Sequence, residues 1–377
     1  MQDCLDLRAL RDIGFGHDTV QAVLARPRPG DARLARVVEI QREHLVVHDG
    51  AGMHEALAWP TLRLALELAR DALVVGDWVW WRAADAPSPG ARGWVLERLA
   101  ARNRLTRRDA SGARQGLVAN IDVALLVMGL DHDFNLLRLD RFLVLARSAG
   151  ASPVVVLTKA DRCADPDAAV ACVREHVGGV RGAPGSPATH AWSADMPSLP
   201  VLALDGRAAS AQELLTPWLV RGNTLVMLGS SGAGKTTLTN TLSGAANETR
   251  GVRERDGRGQ HTTTARTLHL TPSGDCLIDT PGLRQLWLDA DAQALRDAFP
   301  EVGALAAQCR YRNCHHAREP GCAVREGVPA ARLKSFHKLL RETLRDEFDV
   351  HDRRRQLSAY KQRARANRQR LAGWVPI

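Results

Sequence analysis

The sequence predicts a multidomain chain: an N-terminal β-barrel, a central α/β domain, and a mainly helical C-terminal domain built around a metal. Three observations predict it. Short segments of alternating character, separated by glycine turns, crowd residues 34–97. Apolar strands then alternate with helical stretches from Asn120 to about Phe299. Beyond them Cys309, Cys314 and Cys322 cluster beside His315 and His316, ahead of a helical segment. With 377 residues there is room for two or three domains, each with a core of its own. A hydrophobic content of 45% and a charged content of 25% are those of a globular chain, which excludes a disordered or fibrous one. The longest apolar runs, Val123–Leu130 and Pro153–Leu157, are too short to cross a bilayer. Asp3, Asp6 and Arg8 interrupt the start of the chain, so no secretory signal is read there. The expectation is a cytoplasmic protein with no membrane partner.

Taken in order, residues 1–30 read as a leader helix that runs into Pro27, Pro29 and Gly30. Residues 31–113 carry the strand patterns Ala35–Ile40, His44–Val47, Val74–Arg82 and Gly93–Glu97, with His48-Asp49-Gly50 as a turn. Several short strands in so small a space suggest an OB-fold. Trp78, Trp80 and Trp81 read as platforms on which nucleobases stack, the other reading being that the alternate members Trp78 and Trp80 fill the barrel or its flank.

The α/β domain, residues 114–298, has candidate strands Ile121–Gly129, Pro153–Leu157, Val201–Leu204, Thr224–Leu228 and Asp275–Ile278, with helices over Leu139–Ala149 and Lys235–Leu242. Gly178–Ser198 is rich in Gly, Pro, Ser and Ala and reads as a surface loop. Residues 299–345 hold the cysteine cluster. Residues 346–377 form a basic helix or tail, with eight arginines and lysines between Arg353 and Arg370. A net charge of +9 and a pI near 9.6 favour a polyanionic partner.

Gly229-Ser230-Ser231-Gly232-Ala233-Gly234-Lys235-Thr236 fits G-x-x-x-x-G-K-[ST] in full, after a strand and at the start of a helix that continues with Thr237. Glycines let the backbone wrap a phosphate chain with its N–H groups turned inward, and the helix N-terminus adds positive potential. Lys235 would reach the β- and γ-phosphates, and the Thr236 hydroxyl would ligate Mg²⁺. Asp279-Thr280-Pro281-Gly282, an acid at a strand end followed by a glycine turn, suits Mg²⁺ and γ-phosphate sensing. The loop alone does not separate ATP from GTP.

Thr158-Lys159-Ala160-Asp161 matches [NT]-K-x-D at another strand end. A carboxylate there accepts from both N1–H and the exocyclic amine of guanine, a donor pair that adenine lacks. Lys159 would lay its stem across the base. This motif precedes the phosphate loop, whereas an ordinary small GTPase has the reverse order. Such a circular permutation is tolerable where the termini of a compact domain lie close together. The loop that reads guanine O6 through backbone N–H should follow Val201–Leu204, at Ala203-Leu204-Asp205-Gly206.

In these motifs, and in Asn120-Ile121-Asp122, Asp133-Phe134-Asn135, Leu139–Leu143 and Gly257–Thr264, the chain resembles the circularly permuted, ribosome-small-subunit-dependent GTPase A family of bacterial 30S assembly factors. The resemblance covers nearly the whole chain. It implies an OB-fold, a permuted P-loop GTPase domain and a C-terminal zinc domain, and hydrolysis of GTP to GDP and phosphate stimulated by the small subunit late in its assembly. The partners it implies are the 30S subunit and its 16S rRNA, met by a monomer. It also places one of Thr262 to Thr264, with Thr263 favoured, beside Thr236 on Mg²⁺.

Cys309-x4-Cys314-x-His316-x5-Cys322 offers three thiolates and an imidazole, a closed ligand set that suits one structural zinc ion per chain. The resemblance carries the same spacing, with His315 as a competitor for His316. Many GTPases follow Asp-x-x-Gly with a water-orienting glutamine, but here the residue is Leu283. His261 is then the candidate catalytic residue, a role the resemblance supports. The alternative function is a nucleotide-gated RNA-binding module with incidental hydrolysis. An ABC-type ATPase is disfavoured by Thr158–Asp161 and by the lack of a Leu-Ser-Gly-Gly-Gln signature.

Overall fold

A computed structural model of the chain describes residues 6–41, 44–84, 91–108, 114–178, 199–244, 266–281, 287–288 and 292–344. Strands β1 (Arg33–Ile40), β2 (Leu45–His48), β3 (Met53–Ala58), β4 (Trp78–Arg82) and β5 (Gly93–Arg98) pair in the order β1-β2-β3-β5-β4, and β4 returns to β1. This closes a five-stranded barrel in which only β3 and β5 run parallel. Closure removes the exposed sheet edges that invite unwanted pairing.

Alternation along β4 sends Val79 and Trp81 into the barrel interior, with Ala35, Val37, Val47, Ala56 and Val95. Trp78 and Trp80 point outward, yet both are only 2% exposed. Helices α1 (Leu7–Arg11) and α2 (His17–Leu24) cover them: Leu10 and Ile13 join their cluster, and Phe15 meets Trp78 edge-on at 5.5 Å. None of the three tryptophans is therefore available as a stacking platform, and Leu10, Ile13 and Ala22 of the N-terminal segment pack into the same core cluster. Arg36 fastens this corner. Its buried guanidinium donates to the carbonyls of Ile13 (2.7 Å) and Asn120 (3.1 Å), tying the N-terminal segment and the barrel to the next domain.

Beyond the barrel, β6 (Arg104–Arg108) and β7 (Arg114–Ala119) form a hairpin that pairs with β14 (Trp287–Leu288) in a separate small sheet. The α/β domain uses β8 (Val123–Gly129), β9 (Ser152–Thr158), β10 (Val201–Ala203), β11 (Thr224–Gly229), β12 (Thr267–Leu270) and β13 (Cys276–Asp279). Their spatial order is β10-β9-β8-β11-β13-β12; the first five are parallel and β12 is antiparallel. The sheet continues into the barrel through β12 and β1, at Glu39 opposite Thr267.

Helices cover both faces of this sheet, so its strands read as unbroken apolar runs. Val123, Leu125 and Val127 of β8 face α6 (Ser210–Leu215) and α7 (Lys235–Leu242). Ala124, Leu126 and Met128 face α4 (Leu136–Ser148) and α5 (Pro166–Gly178). From β8 the chain steps outward to β9 and β10, then returns to lay β11 on the other side of β8. Loops leaving the carboxyl ends of β8 and β11 therefore part, opening the crevice where ligands bind such sheets.

The C-terminal elements α8 (Ala292–Ala298), α9 (Pro300–Ala306), α10 (Ala323–Gly327) and the helix at 330–344 do not build a separate core. Phe299, Val302, Leu305, Val324, Val328, Leu333 and Leu339 belong to the same apolar cluster as α4 and α5. An ionic network runs through the junction. Buried Arg332 donates to Glu301 (2.8 Å), to Asp140 of α4 and to the Ala298 carbonyl, while His176 of α5 lies 3.0 Å from Asp140. Burying these charges costs solvation, so removing one partner would leave others uncompensated, a loss of about 3–5 kcal/mol. Among the described residues no helix is long and apolar enough to cross a membrane. The basic segment 346–377 lies outside them.

Candidate nucleotide and metal sites

The phosphate loop leaves the central strand β11 and turns into α7. Gly232 and Gly234 both hold positive φ, 84° and 91°. At Gly234 a side chain would also press on Thr158, whose hydroxyl donates to the Ala233 carbonyl at 2.6 Å. Gly229 is required for a different reason: a Cβ there would lie 2.4 Å from the Val127 carbonyl of the neighbouring strand. Ser230 and Ala233 are buried beneath the loop, whereas Ser231 and Thr237 are exposed on it.

Lys235 is only 6% exposed and donates to the carbonyls of Gly229 (3.0 Å) and Ser230 (2.7 Å). Burial pulls its pKa below the ordinary lysine value, against the opposing influence of Asp279 and Asp133. A phosphate chain in this loop would exchange two neutral acceptors for anionic oxygens, a stronger partnership for a desolvated ammonium.

Thr236 donates its hydroxyl to Asp279 Oδ2 at 3.0 Å. The other oxygen, Asp279 Oδ1, is buried and has no hydrogen-bond partner among the described residues, and burial pushes the carboxyl pKa up. An orphaned carboxylate oxygen beside a loop hydroxyl fits a hard divalent cation that accepts oxygen ligands. His261, Thr263 and Gly282 lie outside the described residues.

Thr158, at the end of β9, brings the base-facing turn against the loop. Lys159 has φ 62° and donates to the Gly232 carbonyl at 2.7 Å. Asp161 follows in a short 3-10 turn, Ala160–Arg162, exposed to a small open cleft. Lys159, Gly206, Arg207 and Thr237 also line this cleft. The Gly206 carbonyl accepts from Thr241 of α7 at 2.7 Å, which holds the loop after β10 in place. Sequence reasoning gave no role to Arg207, nor to Asp131 and Asp133, which reach the same region from the turn after β8. Asp133 falls in the Asp133-Phe134-Asn135 segment of the resemblance, but no local pattern gives it or the other two a role, because they meet the motifs only through the sheet.

Some distance away, Cys309, Cys314, His316 and Cys322 gather with all their ligand atoms within 4.8 Å of one another. Tetrahedral zinc, with bonds of about 2.3 Å to sulfur and about 2.05 Å to nitrogen, sets sulfurs about 3.8 Å apart and sulfur about 3.6 Å from nitrogen. The structure has Cys309 Sγ 3.9 Å from Cys322 Sγ, and His316 Nδ1 3.6 and 3.5 Å from these two sulfurs. The cluster can thus hold a tetrahedral metal ion. His316 takes a left-handed backbone, φ 58°, to enter it, while the backbone of His315 is bound by Glu319 and His337. Glu319 accepts the N–H groups of His315, Ala317 and Arg318, and backbone hydrogen bonds bring its pKa to about 2.

A fold that keeps the phosphate loop on its central strand, while the base-facing turn arrives on an earlier strand of the chain, is that of a circularly permuted P-loop GTPase. The profile of the RsgA GTPases matches residues 98–183 and 186–289. The small ribosomal subunit biogenesis GTPase RsgA of Xylella fastidiosa (strain 9a5c) is 42% identical over 318 residues, 83% of either chain. Its namesake in Xanthomonas oryzae pv. oryzae (strain PXO99A) is 40% identical over 301 residues, 78% of this chain and 75% of that one. The chain belongs to the RsgA GTPase family, whose members hydrolyse GTP. Its fold is similar to the crystal structure of YjeQ from Thermotoga maritima, with a TM-score of 0.56, 23% identity and coverage of 83% and 99% of the two chains. It is likewise similar to YloQ, a circularly permuted GTPase, with a TM-score of 0.54, 20% identity and coverage of 83% and 95%.

Proposed function

We propose that this protein binds the small ribosomal subunit through its 16S rRNA and hydrolyses GTP there, as a monomer in the cytoplasm, late in 30S assembly. The observation that carries this reading is the 42% identity, over 83% of both chains, to a GTPase named for small-subunit biogenesis. A net charge of +9 suits an RNA partner. In this reading Asp161 reads guanine, the loop Gly229–Thr236 cradles the phosphates, and Lys235 meets the β- and γ-phosphates. Thr236 and Thr263 ligate Mg²⁺ near Asp279, and Gly282 senses the γ-phosphate. Bound Mg²⁺ supplies neutralisation of the charge that develops on the phosphate oxygens.

GTP turnover with and without purified small subunits tests the proposal. The subunits should accelerate it by about tenfold or more, equivalent to about 1.4 kcal/mol off the barrier. Equal rates would overturn it. GTP-dependent binding to the subunit at equal rates would instead favour the nucleotide-gated RNA-binding module, the reading to which Leu283 lends weight.

For the cysteine cluster the proposed occupant is one structural zinc. Elemental analysis of purified protein should find one zinc per chain. Cys314→Ser should lose it and destabilise the 299–344 region by about 3 kcal/mol or more, as loss of a structural metal does. Limited proteolysis reads this as faster cutting there than in the α/β domain. Metal-free protein with an intact C-terminal region would refute the assignment.

A further inference from the structure

The turn after β8 carries two carboxylates that belong to no nucleotide motif, yet both reach motif residues. Asp131 Oδ2 accepts from Lys159 Nζ at 2.7 Å, and the same ammonium donates to Gly232 O at 2.7 Å. Lys159 is therefore strung between an acid on one side and the phosphate loop on the other. Its hydrogen bond to Asp131 holds that carboxyl below the usual carboxylate range.

The turn is itself anchored. Asp131 Oδ1 accepts the Asp133 N–H at 3.0 Å. Asp133, 6% exposed, accepts the Gly129 N–H at 3.2 Å and the Ser230 hydroxyl, and pairs with Arg138 at 2.6 Å. Gly129 gives a second, independent sign that the pair matters. It is not among the glycines with positive φ, so its backbone does not demand glycine. A Cβ there would lie 2.8 Å from Asp131 Oδ1 and 3.2 Å from Lys159 Nζ. The strand end is bare where the ion pair needs room.

We propose that Asp131 is a positioning residue for guanine-nucleotide binding: it holds Lys159 extended across the phosphate loop, so that the lysine stem forms one wall of the base cleft. Without it the ammonium keeps a single carbonyl partner, and the stem is free to swing out of the cleft. The loss falls on the base, so it is the same whether two or three phosphates follow. This inference rests on the reading of Thr158–Asp161 as the guanine site.

Binding of a fluorescent GDP analogue and of GTP to the full chain tests it. Asp131→Ala should weaken both by the same factor, roughly tenfold, the scale of one partly exposed charge-assisted hydrogen bond. KM should rise while kcat at saturating GTP stays within about twofold, a division that general destabilisation does not produce. Asp131→Asn, whose amide oxygen still accepts from Lys159, should recover most of the affinity, and Gly129→Ala should mimic the loss. In a double-mutant cycle, Lys159→Ala added to Asp131→Ala should cost little more than Lys159→Ala alone. Additive losses, or unchanged GDP affinity in Asp131→Ala, would overturn the proposal. Asp161→Asn keeps the two failures apart. If it fails to shift preference towards xanthine nucleotides, the guanine-site reading is wrong. If it shifts preference while Asp131→Ala binds GDP normally, only the positioning role is wrong.

Discussion

His261→Ala should lower subunit-stimulated GTP turnover by a factor on the order of 10²–10⁴, the range for losing a positioned proton-transfer or water-orienting group. Affinity for GTP should barely change, because no ground-state contact to the nucleotide is proposed for this side chain. Leu283 stands where many GTPases carry the glutamine that orients the attacking water. Leucine has no polar atom to offer, so the free protein should hydrolyse GTP slowly. His261 precedes β12, the strand that pairs with the Asp279-bearing strand β13 on one edge and with the barrel on the other. A subunit contact that sets the His261 imidazole against the water would supply the orientation that Leu283 does not. Lys235→Ala, by contrast, should impair binding itself, because it deletes a direct phosphate partner. Single-turnover kinetics on purified subunits, set beside equilibrium nucleotide binding, separates the two. Full stimulation of His261→Ala would assign the water to another residue or to the subunit.

The contiguous motifs were legible in the sequence because their chemistry is local. A phosphate loop needs its glycines, lysine and threonine on one turn, and a strand ending in Thr-Lys-x-Asp carries its own geometry. The three-layer α/β arrangement followed from unbroken apolar strands separated by helices. The contacts that side chains make across elements left no such signal. Asp131 meets Lys159 only because β8 and β9 are neighbours, and Asp133 meets Ser230 only because β8 and β11 are. Trp78 and Trp80 were ambiguous for a related reason. A strand pattern shows that two residues share a face, but not that α1 and α2 will cover that face. In the structure the ring of His316 gathers with the three cysteines and that residue has a left-handed backbone, an arrangement that two adjacent histidines do not disclose in the sequence.

Asp161→Asn should exchange the base preference of the protein, weakening GTP and improving xanthosine triphosphate. Guanine offers two donors, N1–H and the exocyclic amine, which one carboxylate can accept together. Xanthine has a carbonyl in place of the amine and asks for a donor there, which the asparagine amide supplies. In the structure Asp161 is exposed to a cleft walled by Lys159 and Thr237, with Arg162 Nε 3.6 Å from its carboxylate as the nearest ion-pair partner. Nothing else has to move for the substitution to act, and Asp161 carries no structural hydrogen bond among the described contacts, so the fold should be undisturbed. Leaving the site's carboxylate mismatched to a base lacking its donors costs far more than losing a methylene contact, by factors of 10⁴–10⁵ in well-built polar pockets. For an exposed carboxylate a smaller exchange, on the order of 10²-fold in relative affinity, is the expected size, since water competes for the unpaired groups. Competition binding of GTP against xanthosine triphosphate on both proteins measures it directly. If the preference were the same before and after the substitution, the base would have to be read elsewhere, and Arg207, which also lines the cleft, would be the next side chain to change.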